Sequence, residues 1–402
     1  MTSYKEALNW FFQWERSQIA STDLEQRLQE IFNPAISDAD RERLLNTLTE
    51  EHAGSPILPE LLFQIGAWYR RHGSPQSGLK YLDQAIERYA ASSDLHHMNS
   101  LHWLYGCILW QIGSNLEACL HWRLSIRVWK EYLPAFHNRQ QTTNQEIENA
   151  RLAYLRCIER EEWHRKRDLL PGANHSQHRG HIAQYQQKAQ QWQTKIAELK
   201  RTKQGLTSKL EWYEKRLEEM ETALLCTPEE AYLLVKDMTN QNLNRLSQGF
   251  VNHREKIEKL VGEHNSAEAT KEVERMLAVA PAWTPVEKAE SYLVGGWAFY
   301  EIKHDGWEKQ LKKAVFLYTP DSLGRVWARW LLGVIQWGIP EKVGDAATNW
   351  TIAIQDLEHL EKKAEWQNQD LQVEYYSDKI SIMHRALEDR RSQLPVVQQA
   401  GP

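Results

Sequence analysis

The sequence writes Trp-Leu-x-Gly-x-Ile-x-Trp twice, as WLYGCILW at 103–110 and as WLLGVIQW at 330–337. A catalytic motif rarely needs two copies in one chain, whereas a packing unit often does. The spacing is helical. Trp103 and Trp110 stand two turns apart and share one helix face, and the same holds for Trp330 and Trp337. Gly106 and Gly333 sit between them, where a missing side chain admits a neighbouring helix.

The echo extends beyond the motif. Shifting Gly66, Trp68, Leu82, Ala85 and Tyr89 by 229 lands on Gly295, Trp297, Leu311, Ala314 and Tyr318. Trp122 and Ile126 find Trp350 and Ile354, and ERLL at 42–45 finds ERML at 274–277. Such long-range self-similarity is the mark of a repeat architecture. It is read here as duplication of a whole helical module.

Placing Gly66 at the eighth position of a helix-pair unit puts Leu62, Ile65, Tyr69, Gly78, Leu82 and Ala85 at its fourth, seventh, eleventh, twentieth, twenty-fourth and twenty-seventh positions. Gly106 does the same for Tyr105, Leu109, Ala118, Trp122 and Ser125. Small residues at the eighth and twentieth positions let two antiparallel helices approach, and large ones fill the seam. In this pattern the chain resembles the tetratricopeptide-repeat family over residues 42–135 and 274–365. The unit spacing of about 40 residues exceeds the usual ~34. The proline that commonly closes a unit is missing at residues 90 and 130. A further helix is expected after each half, over 140–168 and 366–392.

A different pattern lies between the halves. Apolar or aromatic residues recur at Ile182, Tyr185, Ala189, Trp192, Ile196, Leu199, Leu206, Leu210, Tyr213, Leu217, Met220 and Leu224, interrupted only by Lys203. A three-four alternation over six heptads predicts a coiled-coil helix. Thr227-Pro228-Glu229-Glu230 then supplies a capping hydroxyl, a first-turn proline and acids at the positive end of a new helix. Its apolar residues Leu243, Leu246, Phe250, Ile257 and Leu260 keep a heptad register, so the two helices are expected to fold back on each other. The expected fold is therefore all-α: two tetratricopeptide-like modules, 1–168 and 264–402, joined by an antiparallel coiled-coil hairpin at 169–263.

Composition narrows the function. No run approaches the roughly 18 apolar residues of a membrane span. The start, MTSYKEALNWFFQWERS, lacks the features of a signal peptide. A cytoplasmic location is expected, with no membrane partner. Four scattered cysteines, Cys107, Cys119, Cys157 and Cys226, form no CxxC pair and read as reduced core residues. GSPQSGLK at 73–80 lacks the Gly-Lys-Ser/Thr of a phosphate loop and reads as an inter-helix turn. No nucleophile elbow and no HExxH motif occurs, so no enzyme and no cofactor are expected. His175, His178 and His181 have a spacing that can bind zinc, yet no acid or thiol accompanies them at a familiar ligand spacing, and no metal site is assigned. Residues 151–220 carry fifteen Lys and Arg against nine Asp and Glu in a chain of net charge −5. Solvated pairing at coiled-coil flanks explains that excess better than contact with nucleic acid.

The resemblance implies a concave groove lined by the fifth, ninth and twelfth positions of each first helix. Those positions place Phe63, Arg70, Trp103, Trp110, Tyr292, Phe299, Trp330 and Trp337 in a partner-binding groove. Aromatic groove residues suit capture of a peptide or helix from a protein partner. The alternative for the tryptophans is burial beneath the module's own third helix. The function expected is a non-enzymatic scaffold or adaptor. Two others stand beside it: a subunit of a larger complex recognised through its coiled-coil arm, which also offers self-association, and a helical domain that senses a small ligand.

Overall fold

The computed structural model describes residues 22–72, 74–92, 95–170, 174–240 and 246–392. The stretch 1–21, Gly73, Pro171, Gly172, Ala173 and Leu243 are among the residues that lie outside them. The chain is all-α, with fifteen helices and no strand among the described residues. In order they are α1 (Thr22–Ile31), α2 (Asp38–Glu51), α3 (Leu58–His72), α4 (Pro75–Ser92), α5 (Leu95–Gln111), α6 (Asn115–Asp168), α7 (His175–Leu225), α8 (Pro228–Asn240), α9 (Gln248–Gly262), α10 (Ser266–Val279), α11 (Pro285–Glu301), α12 (Trp307–Leu317), α13 (Leu323–Trp337), α14 (Val343–Trp366) and α15 (Asp370–Ser392). They form two compact units, one of residues up to Ile126 and from Glu218 onward, the other Arg127–Leu217. None of the described helices is long and apolar enough to cross a membrane.

In the first unit, sequential helices pack pairwise. α3 lies on α4 and α4 on α5; α11 lies on α12, α12 on α13, α13 on α14 and α14 on α15. The glycines explain how closely they meet. A Cβ on Gly66 would collide with the side chain of Leu82, and one on Gly106 would lie 2.5 Å from Trp122 Nε1 and 2.9 Å from the Ala118 carbonyl. On Gly333 it would lie 2.5 Å from Trp350 Cδ1 and 3.1 Å from the Ala346 carbonyl. The two motifs thus share one local geometry. The expected shift of 229 slips by one at the other glycine. Gly296, not Gly295, is the residue pressed against Leu311, at 2.6 Å from its Cγ, while Gly295 faces Val273 on α10.

Helix starts follow their local chemistry. Thr227 Oγ1 accepts from the Glu230 amide at 3.2 Å, so the expected cap of α8 forms. Thr284 and Glu287 make a reciprocal capping box behind Pro285 at the start of α11. Glu287 also accepts from the Ser247 amide at 2.5 Å, which ties the start of α9 to α11. Deeper in, Arg254 (3% exposed) donates to Glu290 (1% exposed) at 3.1 Å. All four cysteines are free thiols.

The second unit is an antiparallel pair made by the distal part of α6 and most of α7. Tyr213 packs on Trp129 and Phe136 with ring centroids 4.4 and 5.1 Å apart. Further along, Gln140 donates to Thr207 at 2.8 Å, Gln193 to Tyr154 at 3.0 Å and Gln186 to Glu161 at 2.9 Å. Ala189, Leu206, Leu210 and Leu217 are buried along the expected stripe.

Two expectations differ from this arrangement. The stripe on α7 is covered by α6, and the helices after Thr227 turn instead into the first unit, with α8 on α13 and α11 and α9 on α10 and α11. Phe250 and Ile257 are fully buried there, in the core that also holds Trp297 and Trp327. Heptad spacing states that a face must be covered and does not name the helix that covers it. The expected separate helix at 140–168 is also absent. α6 runs unbroken through Pro134, a substitution-type penalty of about 3 kcal/mol for a helix interior that the aromatic packing of Trp129 and Phe136 on α7 offsets. After α14, by contrast, Asn368 takes φ 53° and the chain turns into α15.

Candidate functional site

The eight expected groove residues fall into two groups. Trp103 and Trp110 close on Trp122 from α6, with ring centroids 5.6 and 5.4 Å apart, and Trp122 Nε1 donates to the Trp103 carbonyl at 3.2 Å. Trp330 and Trp337 close on Trp350 from α14 at 4.4 and 5.0 Å, and Trp350 Nε1 donates to the Trp330 carbonyl at 3.2 Å. Each motif is therefore a clamp. Its two tryptophans grip a third from the next helix, and its glycine lets that third indole approach. Stacked aromatic pairs add about 0.5–1.5 kcal/mol each beyond area burial.

The remaining four are placed elsewhere. Phe63 and Arg70 are both buried on α3. Tyr292 is buried, accepts from Lys313 Nζ at 2.6 Å and carries that ammonium 4.0 Å from its ring centroid. Phe299 is buried and stacks on His304 at 4.2 Å. Counting from Gly296 in place of Gly295 does not open the face, since Leu293 and Trp297 then take groove positions and both are buried. Of the eight, only Trp110 and Trp337 are half-buried; Trp330 has no exposed surface, and its Nε1 donates to the Leu225 carbonyl at 2.9 Å. The protein's own helices occupy most of the face assigned to a groove.

The histidines lie on helices and not in a loop, since α7 begins at His175. His175 Nδ1 lies 2.9 Å from an Asp168 oxygen, and His178 and His181 pack against His164. No group of three His, Cys, Asp or Glu among the described residues is arranged to hold a metal ion.

Exposed apolar side chains gather where the sequence reading placed none. On the second unit Leu152, Leu155, Trp163, Leu169 and Leu170 are exposed, Leu169 by 84%. Leu152, Leu155 and Trp163 fall within one outward stripe of α6, and Leu169 and Leu170 follow just beyond its end. Exposed Arg156, Arg160 and Arg167 border it on one side, exposed Glu162 lies on the other and exposed Glu159 within it, and the Arg167 guanidinium sits 4.9 Å above the Trp163 ring. In the first unit, Trp366 and Leu371 flank the α14–α15 turn at 93% and 83% exposure. A reading confined to the inward register passes over such residues, and their only signal is that they fall off it. Neither a protein-family model nor a curated protein matches the sequence.

Proposed function

We propose that the chain is a cytoplasmic, non-enzymatic interaction protein, a tetratricopeptide-like scaffold with a coiled-coil arm. In this reading the arm, and not a groove, takes the partner. The observation that carries it is the apolar stripe of Leu152, Leu155 and Trp163 on α6, exposed and bordered on one side by three arginines. A solvated Trp-Leu stripe is what an amphipathic helix seeks, with anchors at helical spacing. The arginine-lined side favours acids opposite it, so the fitting partner is an amphipathic helix of another protein with acidic residues on that side.

The test compares the intact chain with Leu155→Ser/Trp163→Ser, both purified and checked for helix content by circular dichroism. Each is titrated against designed amphipathic helical peptides, one acidic and one basic on the polar face. Binding of the acidic peptide by the intact chain, weakened by the variant and by high salt, is the expected result. Equal binding of both peptides, equal binding by both proteins, or a dimer of the intact chain in light scattering overturns the reading.

A further inference from the structure

A cavity of about 930 Å³ opens within the first unit, among the α5–α6 turn, α8, the end of α9 and the end of α11. It lies in the size range of small-molecule sites. Its floor holds two glutamates. Glu229, in the first turn of α8, is 2% exposed, yet its Oε2 has no hydrogen-bond partner within the protein. Glu301, the last residue of α11, likewise leaves Oε1 buried and unpaired. A buried acceptor without a donor costs on the order of 1–3 kcal/mol, more when charged, so the fold carries two such groups into one cavity for no structural gain. The strain shows in their acidities. Burial pushes Glu229 up to about 7, against bonds from its own amide and from Asn115, and burial followed by the Glu229 charge holds Glu301 well above the carboxylate range.

The surroundings define what satisfies them. Of the three lysines on the wall, Lys236 and Lys259 are engaged by Glu258 at 2.6 Å and Glu263 at 3.8 Å, and Lys303 leaves Glu229 Oε2 and Glu301 Oε1 without a bond. Leu116, Leu120 and Leu233 supply apolar wall, and the rings of Trp297 and Tyr300 supply aromatic wall. We propose that this cavity binds a small organic cation, a primary ammonium or guanidinium on an aliphatic or aryl body. Its N–H donors bridge the free oxygens of Glu229 and Glu301, and its body lies among the leucines and against the aromatic wall. An ammonium has three donors and no acceptor, so it answers two orphaned acceptors without leaving a lone pair of its own unmatched. Cation–π attraction to the half-buried Tyr300 ring adds to the same preference.

The site is separate from the arm, so it stands or falls independently of the proposed function. The experiment uses the full chain and three probes, 1,4-diaminobutane, agmatine and phenethylamine, followed by titration calorimetry and thermal melting. Matched controls are 1,4-butanediol, hexanoate, and the chlorides of magnesium and calcium. The expected result is saturable binding of at least one amine or guanidine, one equivalent per chain, with a raised melting temperature. Glu229→Gln keeps the shape and the fold and removes the charge, so it should weaken that binding by about ten- to a hundredfold. Glu301→Gln should weaken it as well, which guards against a local effect at α8. No binding by any of the three probes, equal binding of the diol or hexanoate, binding of the divalent ions alone, or undiminished binding by a folded Glu229→Gln protein overturns the proposal.

Discussion

Replacing Gly333 by alanine tests the tryptophan clamp at its tightest point. The new Cβ would lie 2.5 Å from Trp350 Cδ1 and 2.8 Å from its Nε1, where ordinary contacts begin near 3.4 Å. Trp350 is held between Trp330 and Trp337, so the roughly 1 Å of relief must move a stack of three indoles. Overpacking of this kind costs about 1–3 kcal/mol. Lengthening the 3.2 Å bond from Trp350 Nε1 to the Trp330 carbonyl removes about 1 kcal/mol more. The higher helix propensity of alanine returns about 1 kcal/mol. The net expectation is a loss of about 1–3 kcal/mol. Gly344→Ala provides the control in the same unit, because a Cβ there meets nothing within 4 Å; it should stabilise by about 0.4–1 kcal/mol. Urea unfolding followed by far-ultraviolet circular dichroism and by tryptophan fluorescence reads both. Gly106→Ala should reproduce the Gly333→Ala loss, since its Cβ meets Trp122 at the same 2.5 Å. If Gly333→Ala proved as stable as Gly344→Ala, the close approach that defines the clamp would be refuted.

Two further outcomes follow from buried charge. Glu229 holds its proton up to about pH 7 when folded but only to its ordinary value of 4.5 when unfolded, so stability falls as pH rises across that window, by about 3 kcal/mol. Glu229→Gln should flatten that slope in urea midpoints taken from pH 4 to pH 8, as shown by the difference from the parent chain; parallel curves would count against a buried carboxyl. At the Arg254–Glu290 pair, Arg254→Ala removes the guanidinium from a carboxylate that is 1% exposed and should cost about 3–5 kcal/mol, while Arg254→Met/Glu290→Leu should recover a good part of it. A double variant less stable than Arg254→Ala would show that the pair earns its place energetically.

Much of the fold was legible because it rests on short-range rules. The glycine–tryptophan spacing of WLYGCILW and WLLGVIQW expresses one contact, and the same contact is found at Gly106–Trp122 and Gly333–Trp350. Helical periodicity, the cap at Thr227 and the stripe on α7 are equally local. What the sequence left open was which surface meets which. The stripe at Leu206 and Leu210 is satisfied by α6 as well as by any helix with apolar residues of matching period. Phe250 and Ile257, in the same register, are satisfied by α10 and α11. The groove assignment failed to separate two uses of an aromatic residue for the same reason. A tryptophan at helical spacing fills a seam or greets a partner with identical sequence context, and only the position of Trp122 and Trp350 on the next helix decides.

The cavity shows the limit most sharply at Thr227-Pro228-Glu229-Glu230. Every local reading of those four residues holds: the hydroxyl caps, the proline starts the helix, and both acids stand at its positive end. Yet the two acids have opposite fates. Glu230 is met by Arg123 at 2.6 Å, and Arg123 also pairs with Asp237, about two turns further along the same face. Glu229, one residue away and rotated by ~100°, turns into the cavity beside Glu301 with one oxygen unanswered. Both partners come from far along the chain, Arg123 from α6 and Glu301 from the end of α11. Neither the cap nor the helix dipole carries information about which carboxylate will find a guanidinium. The difference is made by tertiary placement alone, and it turns one of two adjacent glutamates into a structural ion pair and leaves its neighbour available for a ligand.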